Sequence, residues 1–172
     1  MNLPTWITVS RLVAIPLIFW LLATPTVGSR WWAVAIFLLA ACTDWLDGYL
    51  ARRLNQVTDL GKFLDPLVDK LLVLAPLMVL VQLGVVPAWG VFLILARELT
   101  IAGWRVGQAK VVGANLWGKA KTVVQIVAIA ILLSPWSQQY LHLSLGLFWL
   151  AVILTWWSGL MYLTTQGQNN GV

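Results

Sequence analysis

Long charge-free runs alternate with short polar breaks along the chain, and the runs mark out six helices. After Arg11, apolar positions continue to Ala23, too short a stretch to cross a bilayer, which takes about 20 residues. The first helix is therefore expected to start near Pro4 and to carry Arg11 inside it. A second is expected from Trp31-Trp32, an aromatic pair of the kind found at membrane interfaces. Its charge-free part ends at Thr43, so Asp44 and Asp47 form its last turns. Residues 71–96 carry no charge, but Gly84-Val85-Val86-Pro87 interrupts them as a turn does. Each half is again too short, so the third helix reaches back through Asp69 and Asp65, and the fourth runs forward through Arg97 and Arg105. A fifth extends from about Trp117 to Leu133 and stops at Ser134-Pro135. The sixth, 143–163, is the one unbroken span.

Composition explains why these runs do not belong to a water-soluble core. The 172 residues are 60% hydrophobic and 10% charged, against about 25% charged in a typical soluble chain. The expectation is an all-α integral membrane protein of about six transmembrane helices, forming one domain over 1–172 with a frayed polar tail at 164–172. Met1-Asn2-Leu3-Pro4 has no basic segment and no small-x-small site follows, so the first helix is expected to be retained. The single cysteine, Cys42, excludes an internal disulfide and a cysteine-based zinc site. Most of the twelve tryptophans read as interfacial anchors, and His142 as a structural residue on the outer side.

Charge then orients the spans. With the N-terminus cytoplasmic, the inner side collects Arg11, Arg52, Arg53, Lys62, Arg105, Lys110, Lys119 and Lys121, and the outer connections hold Arg30 and little else. That asymmetry places both termini inside. Basic residues are separated by apolar segments, so no nucleic-acid partner is expected. Membrane lipids are, with Lys110 at their headgroups.

The acids are distributed differently. Five of six (Asp44, Asp47, Asp59, Asp65, Asp69) fall in one short stretch, at the cytoplasmic ends of the second and third helices. Asp44 and Asp47 stand three apart and Asp65 and Asp69 four apart, so each pair shares a helix face. As a solvated helix–loop–helix these acids would pair with Arg52, Arg53, Lys62 and Lys70. Ionisable groups inside spans instead mark function, and four clustered carboxylates repel unless cations join them. Oxygen ligands without His or Cys select Mg²⁺ or Mn²⁺, and four can hold two ions. Gly48 and Gly61, lacking Cβ atoms, let a ligand or a backbone approach the same faces. Arg97 lies inside a span and needs a partner, and Glu98 is expected to be a poor one because adjacent helical residues point apart.

In these residues the sequence resembles the CDP-alcohol phosphatidyltransferase family. The signature D-x-x-D-G-x-x-A-R, eight residues, then G-x-x-x-D-x-x-x-D is matched in full from Asp44 to Asp69. The segments 2–11, 96–99 and 118–122 resemble the branch of the family whose acceptor is glycerol 3-phosphate. The resemblance implies transfer of a phosphatidyl group from CDP-diacylglycerol to sn-glycerol 3-phosphate with release of CMP. It also implies a bacterial-type inner-membrane location, an active site facing the cytoplasm, and a homodimer. It assigns two Mg²⁺ (or Mn²⁺) ions to Asp44, Asp47, Asp65 and Asp69, with Asp69 also the general base. It assigns the donor to Gly48, Arg52, Thr58, Gly61 and Thr8. The acceptor is a small dianion that needs cations, for which Arg97, Arg105, Lys119 and Lys121 are the candidates. Serine, inositol phosphate or phosphatidylglycerol stay open as acceptors. A divalent-cation transporter is the competing class, although its carboxylates belong at the bilayer midplane rather than at one face.

Overall fold

The computed structural model describes the backbone of residues 3–54, 59–106 and 116–169, and the side chains of 10–43, 67–104, 117–162 and 164. These residues form α1 (Leu3–Ala23), α2 (Val27–Leu54), α3 (Asp59–Gln82), α4 (Ala88–Val106), α5 (Leu116–Leu133) and α6 (Leu141–Asn169). A short 3₁₀ turn, Pro135–Ser137, precedes α6. Among the described residues there is no strand.

Local chemistry accounts for the helix ends. α2 begins four residues earlier than its aromatic pair suggests, because Thr26 caps it. Ser29 N donates to Thr26 Oγ1 (3.1 Å) and Thr26 N donates to Ser29 Oγ (2.8 Å), so two orphan amides are satisfied reciprocally. The break at 84–87 is where the sequence places it. Gly84 sits at φ 69°, and Val85 N reaches Leu80 O while Gly84 N reaches Val81 O (both 2.9 Å). This is a left-handed helix stop that glycine enters without a Cβ penalty, and Pro87 then launches α4. At the other extreme α6 continues to Asn169, into the polar segment expected to fray. Its polar residues are compatible with a helix that runs on past the apolar part.

Short connections make α1 and α2, α3 and α4, and α5 and α6 antiparallel neighbours. The pairs assemble through α1 against α3, α2 against α5, and α4 against α6 and α3. The centre is filled by Ile18, Phe37, Leu77, Leu80, Ile129, Leu132 and Phe148, all essentially buried. Gly90 lets α4 approach α6 closely, since a Cβ there would lie 2.7 Å from the Phe148 ring. The outside of the bundle is apolar as well: Trp20, Trp32, Leu39, Phe92, Leu143 and Ile153 all face outward. An exterior of this kind suits hydrocarbon rather than water. By length and composition, 141–162 is the described helix able to cross a membrane, and Ser10–Ala23 and Val27–Thr43 are shorter apolar segments. The alternation of direction gathers the three described turns at one end and most of the charge towards the other.

Candidate active site

Two of the four signature aspartates, Asp44 and Asp47, fall in the second half of α2, and Asp65 and Asp69 fall in the first half of α3. The continuous helical backbone keeps each pair about one turn apart. The side chains of Asp44, Asp47, Asp65, Gly48, Arg52, Gly61, Thr8 and Arg105, and the whole of Thr58, lie outside the described residues.

Asp69 is described, and its partner comes from an unexpected helix. Its side chain is 42% exposed, and Oδ1 accepts a hydrogen bond from Arg11 Nη1 at 2.6 Å. Arg11, nine residues into α1, is only 1% exposed. A guanidinium taken out of solvent is tolerated when an anion meets it, and the packing of α1 on α3 supplies that anion. The sequence placed Arg11 inside the first helix without assigning it a partner. The available signal was general: an arginine within a span seldom lacks one.

Beside Asp69 opens a cleft of about 270 Å³ between α2, α3, α4 and α5. Its polar part is built by Asp69, Lys70, Glu98, Lys121 and Thr122, and its apolar part includes Leu74, Leu77, Ile94 and Ile126. Lys121, buried on α5, forms an ion pair with Glu98 of α4. Lys70 and Glu98, which sequence reasoning did not assign to the site, line it. Lys119 is exposed and does not line the cleft.

Arg97 sits behind this cleft, against α6. Its Nη2 donates to Ser158 Oγ (2.8 Å), and Ser158 Oγ in turn donates to Thr155 O (3.1 Å). Gly159 makes room for the guanidinium, since a Cβ there would lie 2.8 Å from Arg97 Nε. Contrary to the expectation from helix geometry, Arg97 Nη1 also meets Glu98 Oε1 at 3.2 Å. The two Cβ atoms do point apart, but both side chains are long enough to fold back towards each other. Glu98 thus joins Arg97 to Lys121, and one carboxylate stands among three cations once Lys70 is counted. The cleft walls thus carry both signs side by side, Asp69 and Glu98 with Lys70 and Lys121.

Comparison with known proteins agrees with this chemistry. A family model described as CDP-alcohol phosphatidyltransferase matches residues 1–157. A CDP-diacylglycerol–glycerol-3-phosphate 3-phosphatidyltransferase of Bacillus subtilis (strain 168) is 41% identical, the match covering 97% of this chain and 96% of the relative. Proteins of the same name from Escherichia coli (strain K12) and Shigella flexneri serotype 5b (strain 8401) are each 41% identical, over 95% of this chain and 93% of theirs. The matched region takes in α1 to α5 and more than half of α6, so it includes every residue that lines the cleft.

Proposed function

Because the chain belongs to the CDP-alcohol phosphatidyltransferase family, we propose that it transfers the phosphatidyl group of CDP-diacylglycerol to sn-glycerol 3-phosphate and releases CMP. The observation that carries this reading is the cleft lined by Asp69 and Glu98 together with Lys70 and Lys121, in a chain 41% identical to proteins of that named activity.

In this reading Asp69 takes the proton of the acceptor's primary hydroxyl as its oxygen attacks the phosphorus that carries diacylglycerol. The bond from that phosphorus to the CMP oxygen breaks, and CMP leaves with the electron pair. A carboxylate base must lie within hydrogen-bond reach of the proton it removes, and Arg11 holds the Asp69 side chain in one orientation for that task. Lys70 and Lys121 supply positive charge on the wall where an acceptor phosphate belongs. Arg97 supports Glu98 from behind, and Arg105 and Lys119 lie farther along the same two helices.

Asp44, Asp47, Asp65 and Asp69 form an all-oxygen donor set that fits Mg²⁺ or Mn²⁺, and their one-turn spacing on two neighbouring helices supports that role. Two such ions would supply charge neutralisation for the donor's diphosphate and the departing CMP. Gly48, Arg52, Thr58, Gly61 and Thr8 are the proposed donor contacts. The apolar exterior and the inward bias of basic residues support six spans in a bacterial-type inner membrane, with both termini and the cleft on the cytoplasmic side.

Purified protein with labelled CDP-diacylglycerol and a panel of acceptors tests the reading directly. CMP release should require glycerol 3-phosphate. Release that favours inositol phosphate, serine or phosphatidylglycerol would replace the acceptor assignment.

A further inference from the structure

On α5, Gln125 follows Lys121 by about one helical turn, a rise of about 6 Å, and both residues line the cleft. Gln125 is only 5% exposed, and its side-chain amide nitrogen has no hydrogen-bond partner. Buried polar groups in native folds are nearly always matched, so an unmatched amide facing a cavity points to something that enters it. The neighbouring walls offer no match: Leu74, Leu77, Ile94 and Ile126 are hydrocarbon. The other polar lining groups have partners. Arg11 binds Asp69, Arg97 and Lys121 bind Glu98, and Thr122 Oγ1 donates to Gly118 O at 3.1 Å.

We infer that Gln125 recognises the middle hydroxyl of a three-carbon phosphorylated acceptor and thereby sets acceptor choice; the inference rests on the acceptor reading above. An acceptor in this cleft places its attacking hydroxyl at Asp69 and its phosphate towards Lys70 and Lys121. The remaining hydroxyl is then on the carbon between those two ends. A carboxamide both donates and accepts, so it can satisfy a hydroxyl, which does the same. Size agrees: at about 270 Å³ the cleft lies just below the ordinary pocket range of about 300–1,000 Å³. That is room enough for a short-chain alcohol phosphate.

The test compares two acceptors of equal length, sn-glycerol 3-phosphate and 3-hydroxypropyl phosphate, which lacks only the middle hydroxyl. Wild-type protein should prefer glycerol 3-phosphate by about tenfold or more in kcat/KM, as expected for a buried amide left unmatched by the analogue. Gln125→Met should bring the ratio close to one by lowering the glycerol 3-phosphate value, with 3-hydroxypropyl phosphate little changed. The ratio is taken within one preparation, so a partly folded variant does not distort it. If Gln125→Met does not fold, thermal stabilisation of the wild type by each acceptor alone gives the same comparison. Equal stabilisation, equal loss on both acceptors, or a ratio unchanged by Gln125→Met overturns the inference while leaving the proposed reaction intact. Wild-type protein that ignores glycerol 3-phosphate but releases CMP with another acceptor overturns the acceptor reading and this inference together.

Discussion

Arginine is buried at both ends of the bundle, with different consequences. Near the turns, Arg30 is 8% exposed and its Nη1 donates to Ser134 O (3.3 Å) and Ser137 Oγ (3.0 Å). Trp31 meets Trp136 edge-to-face beside it, with ring centroids 5.1 Å apart. All these partners are neutral, and together they fasten the start of α2 to the α5–α6 connection. Towards the other end Arg11 and Arg97 meet carboxylates, as Lys121 does, and a cleft opens among them. Neutral acceptors of good geometry are enough to seat an arginine that closes a joint. Acids held beside cations, around an open volume, make a surface suited to an anionic reactant. Burial alone therefore does not mark function. The kind of partner and the presence of a cavity do.

The contrast can be broken most forcefully at the acids. Asp69→Asn should reduce CMP release by about 10²–10⁴-fold, the usual contribution of a positioned general base. It should lower the melting temperature as well, because the buried Arg11 guanidinium then meets a neutral amide in place of an anion; activity is therefore measured per folded molecule. Asp44→Asn and Asp65→Asn should be similarly inactive, and a chelator should abolish turnover until Mg²⁺ or Mn²⁺ is restored. Substantial CMP release by folded Asp69→Asn protein would falsify its role as base.

Arg11→Gln tests whether the charged end depends on its pairing. Losing a charge-assisted hydrogen bond costs about 1.5–3 kcal/mol, below the ~3–5 kcal/mol of a fully buried pair because Asp69 is half exposed. The melting temperature should fall, and kcat should fall further than either KM rises, since Arg11 acts through Asp69. Proportional increases in both KM values at constant kcat would remove Arg11 as a positioning residue.

A smaller disturbance is Gly159→Ala, which puts a methyl group 2.8 Å from Arg97 Nε. Overpacking of this kind typically costs about 1–3 kcal/mol, and here the flexible arginine can yield, so the low end is expected. The KM for glycerol 3-phosphate should rise modestly if Arg97 supports the acceptor wall through Glu98. An unchanged KM would leave Arg97 as a helix clamp.

The smallest catalytic effect belongs to the neutral joint. Arg30→Gln should lower stability by about 1–2 kcal/mol, from two hydrogen bonds with neutral acceptors. Turnover per folded molecule should match the wild type, as measured by CMP release normalised to the monodisperse fraction. A tenfold loss in kcat would show that the two ends of the bundle are coupled.

The sequence alone determined the features that depend on neighbours along the chain. The six helices, the stop at Gly84, the end of α5 before Ser134-Pro135 and the one-turn pairing of the aspartates all follow from local spacing and turn chemistry. Two local features escape an apolar-run reading: the cap at Thr26, which is a polar helix entry, and the polar last turns of α6 up to Asn169. The tertiary structure decided which helix faces meet. Arg11 finds Asp69 58 residues away, Arg97 finds Ser158 61 away and Arg30 finds Ser134 104 away, while Glu98 gathers both Arg97 and Lys121. In a soluble bundle, a polar stripe on each helix tells which side turns outward. Here Leu, Phe and Trp cover the outside as well as the core, so hydrophobicity leaves each helix's rotation about its axis undetermined. Close packing at positions such as Gly90 and Gly159, and the need of each buried charge for a partner, settle that rotation, and they do so only once all six helices are in place.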